Sequence, residues 1–169
     1  MVTHNEKVIK LVRSALMAAV CLVLTKVVTI PVPTGYVNLG DCAVLLSAWL
    51  LGPMYGGMAA GLGTALADVL SGYALYAPAT FVIKFLMAFT AAHLFRLLGR
   101  QRTAAHFVAA AVAECMMVAG YFAYESAVLG VGMAAVASVP ANLVQGVAGI
   151  VTSVVLIQAV KKAGFPTDN

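Results

Sequence analysis

Two ionisable side chains interrupt long apolar segments of this sequence. Lys84 lies about six residues inside one segment, and Glu114 lies about ten residues into the next. In such a setting an ionised side chain costs on the order of 2.5 kcal/mol or more unless it faces protein or a wet cavity. We therefore expect Lys84 either to pair with Glu114 or Glu125 or to contact a bound ligand.

Stripes rich in polar side chains follow in the next two apolar segments. The first stripe is Glu114, Val118, Tyr121 and Glu125, and the second is Asn142, Gln145, Gly149 and Thr152. Because residues three and four apart share one face of a helix, the stripes predict a polar pocket between neighbouring helices. Hydrogen bonding between the helices alone would also account for the amides of Asn142 and Gln145.

Tyrosines cluster towards one end of the same segments. They are Tyr36, Tyr73, Tyr76, Tyr121 and Tyr124, and Asn38 lies in the same loop as Tyr36. Such rings stack on a small planar ligand while amides and charged groups supply hydrogen bonds. The same rings would also fit an aromatic belt at a membrane surface.

The other charged residues have simpler interpretations. Asp41 is placed to cap a helix, Asp68 to be solvated near a helix end, and Lys26 to reach the interface with its long side chain. No HExxH, GxSxG or Walker motif occurs, and the three cysteines lie singly in apolar stretches. The sequence therefore predicts no enzyme, no cofactor and no metal site.

The composition excludes a water-soluble globule. Of the 169 residues, 63% are hydrophobic and 9% are charged, and the mean hydropathy is +1.00. Soluble domains are about 45–50% apolar and about 25% charged. At about 20 residues a span, the chain has room for about five to seven membrane-spanning helices and little else. The net charge of +4 is attributed to membrane topology and not to nucleic-acid binding.

Turn residues divide the chain into six predicted transmembrane helices in one compact all-α domain, residues 1–169. The helices are predicted at about 8–30, 41–52, 54–70, 78–98, 104–129 and 140–162. Pro31 and Pro33 end the first helix, because proline cannot continue the helical hydrogen bonds. The second helix is short for a span, so it is expected to be tilted or sheltered by other helices. In the third, glycines at four-residue spacing predict a tightly packed central position.

The basic residues give this arrangement a direction. If the helices alternate, eight of the ten bases fall on one side: Lys7, Lys10, Arg13, Arg96, Arg100, Arg102, Lys161 and Lys162. The positive-inside rule makes that side the cytoplasm, with both chain termini there. A re-entrant hairpin of helices two and three would preserve this parity, so the charges predict an even number of crossings and not six uniquely.

Several segments, in this order, resemble the substrate-binding S components of energy-coupling factor (ECF) vitamin transporters. They are Ala15-Leu-Met-Ala-Ala19, Gly35-Tyr-Val-Asn-Leu-Gly-Asp41, Leu51-Gly-Pro53, Ala67-Asp68, Ala77-Pro-Ala-Thr-Phe81 and Pro140-Ala-Asn-Leu-Val-Gln-Gly146. The resemblance covers nearly the whole chain. The loop and the sixth-helix segment look most like the pyridoxine or hydroxymethylpyrimidine branch.

The resemblance implies a multi-pass protein of the cell (plasma) membrane that captures a small vitamin or precursor for an ABC-type importer. Ala15 and Ala19 would dock on a coupling transmembrane subunit, which two ATPase subunits drive, and the loop Thr34–Gly40 would act as a lid. The residues expected to contact the heterocyclic ligand are Tyr36, Asn38, Tyr76, Lys84, Glu114, Tyr121, Glu125, Asn142 and Gln145. An alternative is a non-transport membrane scaffold of the cell-wall synthesis type, which would need no enclosed pocket.

Overall fold

A computed structural model describes residues 4–32, 35–99 and 103–164. The helices are α1 (His4–Val27), α2 (Gly40–Leu51), α3 (Pro53–Leu70), α4 (Ala77–Leu97), α5 (Thr103–Ala123) and α6 (Val139–Lys162). Strands β1 (Thr29–Val32) and β2 (Gly35–Asn38) lie between α1 and α2. The described part of the chain thus contains the six predicted helices, with most boundaries within a residue or two of those expected.

The β-hairpin is the clearest departure from the all-α prediction. Helix α1 ends at Val27, three residues before the expected Ile30, and the chain then pairs antiparallel with Thr29 opposite Asn38. β-branched residues before Pro31 favour an extended backbone, and proline is tolerated in a strand that has no second neighbour. Thr29–Val32 and Gly35–Asn38 are therefore paired strands, where a helix end followed by a loop was expected. Thr34, the first residue of the predicted lid, lies outside the described residues.

The connection between α5 and α6 also differs from the prediction. Regular α-helix stops at Ala123, and a π-helical turn continues from Tyr124 to Val128. A 3₁₀ helix, Gly132–Ser138, then lies between the ends predicted for the fifth and sixth helices. The wider π turn re-aims its side chains relative to a continuous α-helix, and such turns often occur at functional sites. Glu125, one of the predicted ligand contacts, is buried in this turn.

Helix α2 is the core of the bundle. Its residues Gly40 to Trp49 are all buried, and it packs against α1, α3, α4 and α6. A helix that is apolar all round is stable only inside a protein or a membrane. The prediction that other helices shelter this short segment is confirmed.

Helix α3 lies close to its neighbours because its glycines have no side chains. A Cβ atom built on Gly61 would approach the Phe81 carbonyl oxygen of α4 to 2.8 Å. One built on Gly63 would approach the Ala18 carbonyl oxygen of α1 to 2.2 Å. Close backbone contact of this kind stabilises helix pairs in membranes through packing. The expected tight packing of the third helix is confirmed, and it involves both α1 and α4.

Four described helical stretches are long and apolar enough to cross a membrane. They are Asn5–Val27, Ala77–Leu97, Thr103–Val128 and Gly132–Lys162. Helix α2 is shorter, and α3 is not among the four. Six spans and cytoplasmic termini therefore stay predictions. Residues 1–3 and 165–169 and the basic residues Arg100 and Arg102 lie outside the described part of the chain.

We predict that Gly63→Ala destabilises the bundle. Glycine to alanine inside a helix ordinarily stabilises by about 0.5–1 kcal/mol. At Gly63 the added methyl would push against backbone of α1, and overpacking of this kind costs about 1–3 kcal/mol. Thermal unfolding in detergent should therefore show a lower midpoint than the wild type.

Gly120→Ala in α5 is the matched control. Its added methyl would meet only the Ile83 side chain, at 3.0–3.1 Å, which can rotate away. A Gly63→Ala midpoint equal to or above that of Gly120→Ala would contradict the close-packing argument.

Candidate functional site

A polar cavity of about 70 Å³ lies at the hairpin end of the bundle. Helices α1 and α3 end there, and α4 and α6 begin there. The lining residues are Thr25, Val32, Tyr36, Asn38, Thr64, Asp68, Tyr73, Tyr76, Thr80, Lys84, Tyr121, Glu125, Ser138, Ala141, Asn142 and Gln145. The bases at the start of α1 and at the ends of α4 and α6 lie at the opposite end. Hydroxyl, amide and charged groups thus converge inside a bundle whose outer surface is apolar.

A chain of hydrogen bonds connects the hairpin to α6 and α2. The Gln145 side-chain oxygen accepts from the Asn38 backbone N–H at 2.9 Å and from the Asn38 side-chain amide at 3.2 Å. The Gln145 side-chain nitrogen donates to Asp41 Oδ2 at 2.6 Å. One glutamine therefore fixes the position of the hairpin relative to α2 and α6.

Lys84 pairs with Asp41, a partner that the sequence analysis did not consider. Its ammonium group donates to Asp41 Oδ1, and both side chains are almost fully buried. The Lys84 nitrogen also lies 5.5 Å from the centre of the Tyr121 ring. Removing one member of a buried ion pair costs about 3–5 kcal/mol, because the other charge is left uncompensated. Asp41 is thus the counter-ion of Lys84. The expectation that it caps a helix is wrong, because Leu39 is the N-cap residue of α2 and Asp41 lies inside the helix.

Asp68 holds the hairpin on the other side of the cavity. Its carboxylate is buried and accepts a hydrogen bond from the Tyr36 hydroxyl, so the expectation of a solvated Asp68 is wrong. Burial, followed by the hydrogen bond and charge of Asp68, raises the pKa of Tyr36 above its ordinary value. Tyr36 therefore stays a hydrogen-bond donor at physiological pH.

Aromatic rings form a continuous row across the mouth of the cavity. Ring centres are 5.1 Å apart for Tyr36 and Tyr73, 6.4 Å for Tyr73 and Tyr76, and 5.8 Å for Tyr76 and Tyr124. Spacings of 4.5–7 Å are those of favourable aromatic pairs. The rings of Tyr36, Tyr73 and Tyr76 line the cavity, whereas Tyr124 supports the row from outside the lining.

Glu125 is fully hydrogen-bonded where the π turn brings it to the cavity. It accepts from the Tyr76 hydroxyl at 3.3 Å and from the Ser138 hydroxyl at 2.6 Å. Burial and then the Glu125 carboxylate raise the pKa of Tyr76 to about 12, so Tyr76 also remains protonated. Glu125 therefore joins the start of α4 to the 3₁₀ helix.

The structure brings eight of the nine predicted contact residues to this cavity. They are Tyr36, Asn38, Tyr76, Lys84, Tyr121, Glu125, Asn142 and Gln145. The ninth, Glu114, does not line it. Its carboxylate is buried against α6, where a Cβ on Gly149 would lie 2.8 Å from Glu114 Oε1, and it has no hydrogen-bond partner among the described residues.

Sequence analysis gave no ligand role to Thr64, Asp68 or Thr80, which also line the cavity. Thr64 and Asp68 are one turn apart on α3, and Thr80 and Lys84 are one turn apart on α4. The Thr80 and Tyr121 hydroxyls are hydrogen-bonded at 3.0 Å. Polar pairs at four-residue spacing in apolar helices were the available signal, because the two members share one helix face.

Comparison with known proteins identifies the family. Residues 5–162 match the family model described as "ECF-type riboflavin transporter, S component". The chain belongs to this family. S components are the substrate-binding subunits of ECF importers, so the cavity lies in a transporter subunit.

Two further relatives agree in sequence or in fold. The S component is 37% identical over 131 residues to a Pyrococcus woesei protein described as "Uncharacterized protein in gap 3'region", spanning 76% of this chain and 86% of that one. A solved structure described as "Structure and mechanism of the S component of a bacterial ECF transporter" matches with a TM-score of 0.71. That match covers 95% of this chain and 98% of the other at 17% identity, and shows the shared fold.

The two alanines predicted to dock on a partner lie on the outside of the S component. Ala15 and Ala19 are exposed one turn apart on α1, whereas Ala18 faces Gly63 of α3. Small side chains on an outward helix face permit another helix to approach closely. This face is separate from the cavity, which α1 reaches only at Thr25.

We predict that Gln145→Ala loosens the hairpin. The change removes the acceptor of both Asn38 donors, and a lost hydrogen bond of this kind costs about 1–1.5 kcal/mol. Backbone amides of residues 29–38 should then exchange hydrogen about tenfold faster, measured by mass spectrometry in detergent.

Gln158→Ala at the far end of α6 is the control for Gln145→Ala. It replaces the same residue type in the same helix without touching the hairpin. Equal exchange rates in the two variants would contradict the role given to Gln145.

Proposed function

We propose that this S component captures a small, planar, water-soluble vitamin at the cavity beneath the β-hairpin. The observation that carries the proposal is the convergence of tyrosine rings, amides and hydroxyls around one cavity. Ligand sites combine ring surfaces for stacking with a few placed polar groups for orientation. A scaffold protein would gain nothing from burying such groups, because each one is costly to remove from water.

Riboflavin is the first candidate for the ligand, since the family takes its description from that vitamin. Pyridoxine or hydroxymethylpyrimidine is the second, favoured by the sequence resemblance and by the size of the cavity. A volume of about 70 Å³ is small beside the roughly 300–1,000 Å³ of typical ligand pockets. A single-ring ligand requires less rearrangement of the cavity than a three-ring one.

In this proposal the hairpin is the lid. It is attached by two side-chain interactions, Tyr36 to Asp68 and Asn38 to Gln145. Each contributes about 0.5–3 kcal/mol, so the hairpin can open without unfolding the bundle. Ligand enters when both interactions break and is enclosed when they re-form.

The outward face of α1 completes the proposal. Ala15 and Ala19 dock on the membrane-embedded coupling subunit of the importer, which two ATPase subunits drive. The chain crosses the plasma membrane with the basic ends of α1, α4 and α6 in the cytoplasm. The hairpin end of the bundle then captures the vitamin outside the cell, and the basic end faces the cytoplasm, where the vitamin is released.

We predict that the purified protein binds one member of a vitamin panel with a dissociation constant of about 1 µM or less, equivalent to about 8 kcal/mol. Isothermal titration calorimetry in detergent would compare riboflavin, pyridoxine, hydroxymethylpyrimidine and thiamine. Heat with riboflavin alone would reject the single-ring candidates. Heat with pyridoxine or hydroxymethylpyrimidine but not with riboflavin would reject riboflavin. Absence of heat with every compound would contradict vitamin capture and favour the scaffold.

We also predict that Ala19→Trp abolishes vitamin uptake by cells while leaving ligand binding unchanged. The indole would separate α1 from the coupling subunit, yet α1 contacts the cavity only one and a half turns further along. Uptake of radiolabelled vitamin and calorimetry of the purified variant would be measured together. Ala159→Trp, on an exposed position of α6, should keep both functions; loss of uptake there too would contradict a docking role specific to α1.

A further inference from the structure

Glu114 is buried in the middle of α5 and does not line the cavity. Its exposed fraction is 4%, and neither carboxyl oxygen has a hydrogen-bond partner among the described residues. The stretch that contains it, Thr103–Val128, is one of those apolar enough to cross a membrane. Ionisable side chains inside such segments are costly, so the presence of this one calls for a function.

Two glycines of α6 create the space that the Glu114 carboxyl group occupies. A Cβ atom on Gly146 would lie 3.3 Å from Glu114 Oε2, and one on Gly149 would lie 2.8 Å from Oε1. The same atom on Gly149 would also lie 2.9 Å from the Asp41 Cβ atom. The Glu114 carboxyl group is therefore held beside Asp41, where α5, α2 and α6 meet.

The formal charges at this point do not balance. The Lys84 ammonium group donates to Asp41 Oδ1, and the Gln145 amide donates to Asp41 Oδ2 at 2.6 Å. The positive charge of Lys84 thus already compensates the Asp41 carboxylate. An ionised Glu114 would add a second negative charge next to it, away from water and without a hydrogen bond.

The other titratable groups nearby do not supply a second positive charge. Among the described residues they are Cys21 of α1, Cys42 of α2, and Cys115 and Tyr121 of α5. Thiols and phenols are ordinarily neutral at physiological pH, and neither becomes a cation. His106 lies eight residues earlier on α5, about 12 Å away along the helix, where it packs against the Trp49 ring.

We propose that Glu114 is a proton-binding site, and that its bound proton leaves Lys84 free to pair with Asp41 alone. The cluster then contains one ammonium group, one carboxylate and one neutral carboxylic acid. Without the proton, two carboxylates would compete for Lys84, and the contact between α2 and α4 would weaken. This role differs from the ligand contact expected for Glu114, and it does not depend on vitamin binding.

Infrared spectroscopy of the purified protein in detergent tests the proposal, because a carboxylic acid and a carboxylate absorb at different frequencies. At neutral pH the wild type should show an acid band, and Glu114→Gln should lose the intensity of one acid group. Glu125→Gln is the matched control: Glu125 accepts two hydrogen bonds, so its removal should leave the acid band unchanged. An acid band that Glu114→Gln leaves intact, or that both variants reduce equally, would overturn the proposal.

Stability against pH provides a second measurement. The native protein keeps the Glu114 proton, whereas an unfolded chain releases it above a pH of about 4.3. The wild type should therefore lose stability as the pH rises from about 5 to about 7. Its unfolding equilibrium constant should rise more steeply than that of Glu114→Gln, by up to about tenfold for each pH unit. Equal slopes for the two proteins in chemical unfolding would contradict a bound proton.

The wild type alone decides the outcome if the variant does not fold, as judged by circular dichroism and size-exclusion chromatography. The chain has three glutamates, Glu6, Glu114 and Glu125, and Glu6 is exposed. Cell-free synthesis with isotopically labelled glutamate should shift the acid band. A band that does not shift, or a wild-type spectrum without an acid band, would overturn the proposal. In the second case, an unfolding midpoint raised by Na⁺ would assign a metal cation in place of the proton.

Discussion

The ion pair between Lys84 and Asp41 constrains the whole cavity end of this S component. Neither charge can remain unpaired in a dry interior, so α4 and α2 must meet at these residues. Gln145 extends the constraint, because its amide satisfies the second Asp41 oxygen and turns its own oxygen towards Asn38. Three helices and the hairpin are thereby placed relative to one another through a few polar atoms.

The short helix α2 makes this arrangement possible. A twelve-residue helix cannot cross a bilayer of about 30 Å on its own, yet the four surrounding helices shield it from lipid. Its first turn places Asp41 beneath the hairpin, and Gly40 leaves room for the Asn38 side chain to accept from the Gly40 N–H at 2.8 Å. A helix too short to span the bilayer is therefore compatible with a membrane protein, because the surrounding helices bury it.

The sequence predicts what depends on periodicity and misses what depends on neighbours. Helical spacing was sufficient to bring Tyr121, Asn142 and Gln145 to one cavity, whereas Glu125 reaches it through a π turn that the spacing did not predict. The partner of Lys84 could not be predicted from the sequence, since it depends on which helices lie beside α4 and not on any local pattern. Glu114 shares the stripe of Tyr121 but lies about two turns deeper, and spacing along one helix does not show where a cavity ends. The hairpin was missed because two prolines indicate an end to helix without specifying strand pairing.

The hydrogen bonds of the cavity wall are divided between structure and proposed function. Glu125, Gln145 and the Lys84–Asp41 pair bond to other parts of the protein and fix the helices around the cavity. Asp68 joins α3 to the hairpin by accepting from the Tyr36 hydroxyl. In the proposed cycle this hydrogen bond breaks when the hairpin opens. A hydrogen bond to a charged group contributes about 1.5–3 kcal/mol, so it favours the closed hairpin without preventing its opening. A ligand that contacts the closed hairpin would shift this equilibrium further towards closure, by as much as it prefers the closed state to the open one.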